Sequence, residues 1–264
     1  MGSNPAQQNQ SSELYGVNPV LELLRAGRRS IEEIIIAEGT HDARLRELIE
    51  LARARQIPVR RAPRASLDRL TGTARHQGVV ARVAAARYTD AEVLLDSVGA
   101  MVGSETEPLI VVLDGVEDPR NLGAILRTAE CAGTHGVFVP ERRAVGLTDT
   151  VAKAAAGAVE HVPVARVTNL TRLIEQLKER NVWVVGAAPD APLIYSDWDW
   201  TRPSALVLGG EGSGLRRLVR ESCDALVSIP VLGKIESLNV SVAAGVILYE
   251  SVRQRLAARG KSKP

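Results

Sequence analysis

The sequence predicts an α/β protein with a small N-terminal domain and a larger C-terminal domain that contains a parallel sheet. In the C-terminal half, unbroken apolar runs alternate with helical stretches, and such runs are typical of strands that are covered on both faces. In the N-terminal part, shorter apolar runs alternate with amphipathic stretches over about seventy residues. A segment rich in glycine and polar residues lies between the two parts and predicts a linker.

The N-terminal domain is predicted over residues 13–88, after a polar tail at residues 1–12 that we expect to be disordered. The tail has neither the basic start nor the apolar run of a secretory signal. Periodicity and turn residues predict three helices and three strands after it. In chain order they are a helix at 18–25, a strand at 31–37, a helix at 42–55, a strand at 57–60, a short helix capped by Ser66 and a strand at 78–84.

The linker is predicted over residues 89–107, with one amphipathic helix at 91–98, and the C-terminal domain over residues 108–264. Apolar runs predict strands at 109–113, 136–139, 182–185 and 205–208, and another short strand that ends at Ile229 and Pro230. Helices are predicted at 122–132, 148–157, 170–180, 215–222 and 240–258. We expect right-handed crossovers between the parallel strands.

The net charge of +2 conceals a strongly basic segment. Residues 51–87 contain nine arginines and one acid, a local charge of +8 that leaves −6 for the rest of the chain. A solvated face is one interpretation. The planar guanidinium suits bidentate contact with phosphate and stacking on bases, which favours an RNA-binding surface. The candidate RNA-binding residues are Arg53, Arg55, Arg60, Arg61, Arg64 and Arg75.

Composition argues against two other classes of protein. No apolar run approaches the roughly 20 residues that cross a bilayer, so no association with a membrane is expected. Cys131 and Cys223 are isolated and the four histidines are scattered, so we expect no disulfide, metal site or nucleophilic triad. The two cysteines are expected to be buried thiols.

Three motifs in the C-terminal half are candidates for chemistry. Asp118–Arg127 reads DPRNLGAILR, Leu208–Gly214 reads LGGEGSG and Ser237–Ser241 reads SLNVS. The glycine-rich motif follows a predicted strand, as in nucleotide sites, but it matches neither the dinucleotide fingerprint nor the P-loop. Its glycines favour close approach of the backbone to a flat ligand the size of adenosine, although a turn that only caps a helix is the alternative.

The polar residues of these motifs do not share one helical face. Asn121 and Arg127 are separated by about 240° around a helix that turns ~100° per residue. A buried Arg127 would need a phosphate or a carboxylate as partner, whereas an exposed one would need none. Ser237 and Asn239 are placed like N-cap residues of the last helix.

In their order and spacing, the three motifs resemble those of the SpoU/TrmH family of RNA ribose 2'-O-methyltransferases. Residues 15–20 and 76–79 resemble the L30e-like RNA-binding domain of one branch, which methylates a guanosine in the peptidyl-transferase region of 23S rRNA. The resemblance covers nearly the whole chain after residue 13. It implies a C-terminal SPOUT domain with a deep trefoil knot and a parallel sheet, preceded by a small L30e-like α/β domain that binds the RNA substrate.

The resemblance also implies roles for individual residues. Arg127 would activate the ribose hydroxyl, and Asn121 would help to position it. Because a guanidinium hardly loses its proton, Arg127 could instead bind phosphate and stabilise the developing alkoxide. Ser237 and Asn239 would bind and orient, and Glu211 would hold the site together. The implied contacts with S-adenosylmethionine are Leu208, Gly209, Gly210, Ile229 and Leu238.

The implied protein is a cytoplasmic homodimer joined through the knotted domain, with S-adenosyl-L-methionine as cofactor, 23S rRNA or a pre-ribosomal particle as partner, and no metal. Three alternatives stay open at this point. The chain could methylate another 23S site, as resistance enzymes do, or it could methylate tRNA. It could also be a non-catalytic RNA-binding factor for ribosome assembly, although the intact polar residues of the motifs argue against that.

Overall fold

The computed structural model describes residues 11–84 and 86–261, and the chain divides into two compact units. Residues 1–87 and 147–161 form the first unit, and residues 88–146 and 162–264 form the second. Most of the predicted tail, residues 1–10, lies outside the described residues. Ser11 and Ser12, which we expected in the tail, instead begin a strand that pairs with residues 83 and 84.

The first unit is built on a four-stranded sheet. Its elements up to residue 84 are β1 (Ser11–Tyr15), α1 (Val17–Ala26), β2 (Ile31–Ala37), α2 (Leu45–Ala54), β3 (Val59–Ala62), α3 (Arg64–Thr71) and β4 (Val79–Ala84). The strand order is β1-β4-β2-β3, and only the β2–β3 pair is parallel. Apolar residues of α1 and α2, such as Leu24 and Leu48, are completely buried against the sheet. The predicted α/β unit is therefore present.

The second unit is built on a seven-stranded sheet in which every pairing is parallel. The elements that follow residue 84 are α4 (Ala91–Met101), β5 (Leu109–Asp114), α5 (Pro119–Cys131), β6 (Gly136–Pro140), α6 (Asp149–Ala154), β7 (Val164–Val167), α7 (Leu170–Glu179), β8 (Trp183–Ala187), β9 (Leu193–Ile194), β10 (Ser204–Gly209), α8 (Arg217–Ser222), β11 (Ala225–Ser228) and α9 (Val240–Lys261). The strand order is β7-β6-β5-β10-β8-β11-β9. Strand β5 is buried throughout, which confirms the parallel sheet predicted from its apolar run.

Side-chain caps explain where several helices begin. Asp90, Asp118 and Asn169 accept hydrogen bonds from amides in the first turns of α4, α5 and α7. The predicted cap by Ser66 is wrong. Helix α3 begins directly after Pro63, whose carbonyl accepts a hydrogen bond from the Ser66 amide, so Ser66 lies inside the helix.

Two segments differ in place from the predicted domain plan. Residues 89–107, predicted as a linker with one helix, contain that helix as α4, but its Leu94, Leu95 and Val98 are buried in the core of the second unit. Residues 147–161 belong instead to the first unit. There, Glu160 pairs with Arg29 at 2.6 Å, and both side chains are largely buried. No sequence pattern predicts this placement, because it depends on contacts between residues 131 positions apart.

The two thiols differ in environment. Cys131 is exposed, which contradicts the expectation that both are buried, because the helix that carries it ends at that residue. Cys223 is half-buried, and desolvation raises the pKa of its thiol to about 12. Since only the thiolate is nucleophilic, we expect iodoacetamide at pH 8 to modify Cys131 well before Cys223 in the folded protein. Peptide mass spectrometry over a time course measures both rates; equal rates without denaturant would contradict this description.

Candidate active site

A cavity of about 660 Å³ opens where β8, β10 and β11 end. In open α/β sheets, ligands bind outside the carboxyl ends of the strands, because the loops that follow them converge there. Eight of the residues singled out from the sequence line this cavity. They are Leu208, Gly209, Gly210, Glu211, Ile229, Ser237, Leu238 and Asn239.

The cavity wall combines two kinds of surface. Leu208, Ile229 and Leu238 give it apolar area. Glu211, Glu236 and Asp190 add carboxylates, and Arg220, which also lines it, pairs with Asp190 at 2.9 Å. An apolar wall suits a flat aromatic ligand, and carboxylates favour a ligand that also carries positive charge. The residues of the cavity wall therefore fit a nucleoside derivative that carries a positive charge.

Three polar side chains, one from the first turn of α5 and two from separate loops, meet beside the cavity. The side-chain amide of Asn121, at the start of α5, donates a hydrogen bond to Glu211 Oε1. Asn239 Nδ2 lies 3.2 Å from Asn121 Oδ1 and 3.4 Å from Glu211 Oε1. One carboxylate thus orients two amides that lie 118 positions apart in the sequence.

The same Asn239 caps α9. Its Oδ1 accepts hydrogen bonds from the Ser241 amide at 2.9 Å and from the Ser241 hydroxyl at 2.6 Å. The capping role predicted for Asn239 is therefore present, and it fixes the side chain so that its Nδ2 points to Glu211. The capping role predicted for Ser237 is wrong, because Ser237 lies two residues earlier, on the cavity wall.

The glycines of the LGGEGSG motif are required by contacts between backbone segments. A Cβ on Gly209 would lie 2.1 Å from the carbonyl carbon of Gly214, and one on Gly210 would lie 2.2 Å from the carbonyl oxygen of Gly115. Gly214 has a positive φ of 62°, which glycine adopts without cost. The protein's own backbone fills the space beside Gly209 and Gly210, so contact between backbone segments, and not the predicted approach of a ligand, accounts for these two glycines.

The comparison with known families agrees with this geometry. Residues 108–249 match the model of the SpoU rRNA Methylase family, and residues 14–89 match the model for RNA 2'-O ribose methyltransferase substrate binding. The chain belongs to the SpoU rRNA methylase family. The first match contains the cavity, and the second begins within β1 and extends beyond β4.

Similar proteins cover almost the entire chain of this SpoU methylase. It is 47% identical to the 23S rRNA (guanosine-2'-O-)-methyltransferase RlmB of Ralstonia nicotianae, over 94% of this chain and 97% of that one. It is 46% identical to the putative TrmH family tRNA/rRNA methyltransferase YacO of Bacillus subtilis, over 93% and 97%. The crystal structure of the SpoU methyltransferase AviRb from Streptomyces viridochromogenes in complex with AdoMet superposes with a TM-score of 0.76 at 25% identity, over 97% and 95%.

Two residues that the sequence did not suggest hold the glycine-rich loop of this SpoU methylase in place. Asp114, the last residue of β5, is almost completely buried. Its carboxylate accepts hydrogen bonds from Arg216 Nε at 2.5 Å and from the Arg216 amide at 2.8 Å. This pair fixes the end of the loop that begins at Gly210. A charged residue at the end of an apolar strand is the one sequence signal that could have identified Asp114.

Arg127 lies apart from the other predicted residues. It is exposed and does not line the cavity, and it forms no hydrogen bond or ion pair with residues 11–84 or 86–261. Six residues of helix advance the chain by about 9 Å and rotate it by about 240°, which carries Arg127 away from Asn121. Within one chain of this SpoU methylase, the structure therefore brings together Asn121, Glu211 and Asn239 but not Arg127.

All six candidate RNA-binding arginines are exposed on the first unit. Arg60 pairs with Glu33 at 2.7 Å, and Arg55 donates to the carbonyl oxygen of Arg25. The other four form no ion pair with any residue that the structure describes. These four are Arg53, Arg61, Arg64 and Arg75.

The described residues contain neither a helix that could span a membrane nor a group of side chains that could hold a metal ion. No helix within residues 11–84 and 86–261 is long and apolar enough to cross a membrane. In that same part of the chain, no three His, Cys, Asp or Glu side chains are grouped so that they could hold a metal ion.

Proposed function

We propose that this protein methylates the ribose 2'-hydroxyl of a guanosine in the peptidyl-transferase region of 23S rRNA, with S-adenosyl-L-methionine as the methyl donor. The observation that carries the proposal is the convergence of Asn121, Glu211 and Asn239 on a nucleoside-sized cavity in a SpoU methylase. The names of the RlmB relatives support guanosine in 23S rRNA as the substrate. The AviRb complex supports the cofactor.

The residues around the cavity fit this cofactor. Leu208, Ile229 and Leu238 would hold the adenosine part of the cofactor, and the backbone of Gly209 and Gly210 would give further contacts. Bound there, S-adenosylmethionine would supply a methyl group on a positively charged sulfur. Hydrogen bonds from two amides hold the carboxylate of Glu211, which, unlike that of Asp190, pairs with no arginine that the structure describes, so it would favour that cation.

Transfer requires the 2'-oxygen to bond to the methyl carbon while the carbon–sulfur bond breaks, its electron pair stays on sulfur and the hydroxyl proton passes to water. Asn121 and Asn239 would orient the ribose, with Ser237 as a further contact. We assign to Arg127 the stabilisation of the negative charge that develops on the oxygen, because its guanidinium stays protonated. Because Arg127 does not line the cavity of its own chain, its guanidinium would have to reach the acceptor ribose from outside that cavity.

Glu211→Gln tests the charge at this site without removing the side chain. The variant keeps an oxygen for the Asn121 amide but loses the negative charge, so we expect the rate of methyl transfer to fall by about 100-fold. Glu236→Gln is the matched control, because Glu236 lines the same cavity and forms no hydrogen bond with the described residues. Single-turnover rates compare the two variants. Similar rates for both would remove Glu211 from the mechanism.

We further propose a division of function between the two parts of the chain, with substrate binding by residues 13–88 and methyl transfer by residues within 108–264. The C-terminal domain would form the deep trefoil knot of the SPOUT fold. Arg53, Arg55, Arg60, Arg61, Arg64 and Arg75 would contact RNA phosphates, since all six are exposed. An enzyme with this substrate would work in the cytoplasm, where ribosomes are assembled, and its chemistry calls for no metal.

A homodimer is part of the same proposal. Helix α9 exposes Val242, Tyr249 and Leu256 at 51%, 52% and 61%, and these residues are spaced seven apart along one side of the helix. An apolar stripe of this kind favours packing against a second copy. Analytical ultracentrifugation of the full chain should give the dimer mass, and Tyr249→Asp should shift the protein toward monomer.

Radiolabelled methyl transfer to unmodified 23S rRNA and to unmodified tRNA, side by side, tests the substrate. We expect label in 23S rRNA alone, within the peptidyl-transferase loop after nuclease mapping. Label in tRNA or at another 23S site would show that the protein transfers methyl groups to RNA but that the proposed substrate is wrong. Absence of label in both RNAs, together with absence of S-adenosylmethionine binding by calorimetry, would favour a non-catalytic RNA-binding factor.

A further inference from the structure

A basic loop lies beside the active site at the same edge of the sheet. Residues 141–146 follow β6 and read ERRAVG. Arg142 and Arg143 are both exposed, and neither forms an ion pair with any residue that the structure describes. Glu141, which precedes them, and Glu117, which follows the Val116 contact of the loop, are also exposed and do not pair with them. The two guanidinium groups are therefore available to an external anion.

Strand order places this loop close to the candidate active site. Strand β6 neighbours β5, and β5 neighbours β10, so the ends of β6 and β10 are about 10 Å apart at a strand spacing of ~4.8 Å. The loop also touches the segment that leads into α5. The Val145 amide donates to the Val116 carbonyl at 3.3 Å, and the Arg143 carbonyl lies 4.0 Å from where a Cβ on Gly115 would be. The basic loop thus packs against the segment that carries Asn121.

The loop turns sharply at one residue, and a third arginine stands beside it. Arg143 has a positive φ of 57°, which turns the chain sharply at this residue. Arg166, on β7, stacks its guanidinium over the Tyr88 ring at 4.0 Å, and its Nη2 lies 3.2 Å from where a Cβ on Gly146 would be. Positive charge is therefore held on both sides of residues 144–146.

We infer that Arg142 and Arg143 bind backbone phosphates of the RNA next to the target nucleotide and thereby position its ribose at Asn121. The inference rests on the proposed function, since it names where the acceptor strand lies relative to the cavity. The cavity lies at the ends of β8, β10 and β11, and the ends of β5 and β6 adjoin it on the side of Asn121, so we place there the RNA segment that carries the acceptor. Arginine forks without protein partners are the groups that bind phosphate there. The two residues act as positioning residues, since they would touch phosphate and not the reacting atoms.

The double variant Arg142→Gln/Arg143→Gln tests this inference. Glutamine keeps the long side chain without its charge, and Gln56 and Gln77 of this protein already adopt φ values of 57° and 54°, so the turn at residue 143 should be kept. Arg172→Gln is the matched control, because Arg172 is exposed on α7 of the same unit and forms no ion pair with the described residues. Three quantities are measured for each protein: KM for a 23S rRNA transcript, the salt dependence of binding to that transcript, and Kd for S-adenosylmethionine.

We expect KM for the transcript to rise about tenfold in the double variant, since two phosphate contacts are lost. The slope of log K against log salt should become shallower by about 1.4, at ~0.7 per contact with single-stranded RNA. Kd for S-adenosylmethionine should not change. Arg142→Lys/Arg143→Lys should restore most of the slope, because lysine retains the charge.

Wild-type KM and salt slope in the glutamine variant would overturn the inference. It would also be overturned if the variant lost S-adenosylmethionine binding, since the loop would then support the cavity and not the RNA. Failure of the proposed function gives a different result. If the wild-type protein transferred no methyl group to any RNA, the change in salt slope would still show whether these arginines contact phosphate.

Discussion

Gly210→Ala should abolish S-adenosylmethionine binding while leaving the chain folded. The new methyl group would lie 2.2 Å from the Gly115 carbonyl oxygen, a distance that backbone atoms cannot accept without moving. The loop after β10 would have to move away from the loop after β5, and with it Glu211 and the cavity wall. A misplacement of about 1 Å in a binding site can cost 10²-fold, so we expect Kd to rise by at least about 100-fold. Isothermal titration calorimetry measures it.

Gly233→Ala is the control for this experiment. Gly233 lies in the loop between β11 and α9, and a Cβ there would meet nothing within 4 Å. We expect its Kd for S-adenosylmethionine to equal that of the wild-type chain. Circular dichroism should show the same helix content for both variants. Wild-type affinity in Gly210→Ala would mean that the two loops separate freely, and the account of the glycine-rich motif would be wrong.

Arg127→Ala should eliminate methyl transfer and leave cofactor binding intact. Arg127 does not line the cavity, so its loss removes no group from the cofactor site. If its guanidinium stabilises the developing alkoxide, the rate of transfer should fall by about 1,000-fold, as when one donor to an oxyanion is lost. Single-turnover transfer to 23S rRNA and calorimetry with S-adenosylmethionine give the two quantities.

Arg127→Lys separates charge from geometry. A lysine keeps one positive charge but cannot form the bidentate contact of a guanidinium, so partial recovery of the rate would assign an electrostatic role. No recovery would mean that the planar fork itself is needed to hold the acceptor. Retained wild-type activity in Arg127→Ala would exclude this arginine from the mechanism, whatever the lysine variant does.

Much of the fold could be predicted from the sequence, because it depends on local patterns. The apolar runs at β5 and β10 identify buried parallel strands, and Asn239 precedes a long helical pattern that it caps. Strand β9 was not predicted, since two residues carry no periodicity. The start of α3 was predicted wrongly. A serine before a helical pattern is a common N-cap, but here the helix begins directly after Pro63, so Ser66 lies inside it.

The candidate site was predictable only in part. The motifs identified Asn121, Glu211 and Asn239, but the hydrogen bonds that join them span 90 and 118 positions, and only the folded chain shows them. The pairing of Asp114 with Arg216 was not foreseen for the same reason. The glycines were predicted as a feature of the site, whereas their physical cause, backbone packed on backbone, depends on the neighbouring loop at Gly115.

In the proposed reaction, the methyl group of S-adenosylmethionine is transferred to the ribose 2'-oxygen of a guanosine. The most direct measurement is nucleoside mass spectrometry of unmodified 23S rRNA after incubation with the protein and S-adenosylmethionine, with the Arg127→Ala variant in parallel. We predict one 2'-O-methylguanosine per 23S rRNA with the wild-type chain and none with the variant. A methyl group on a base, or on the ribose of another nucleoside, would contradict the account.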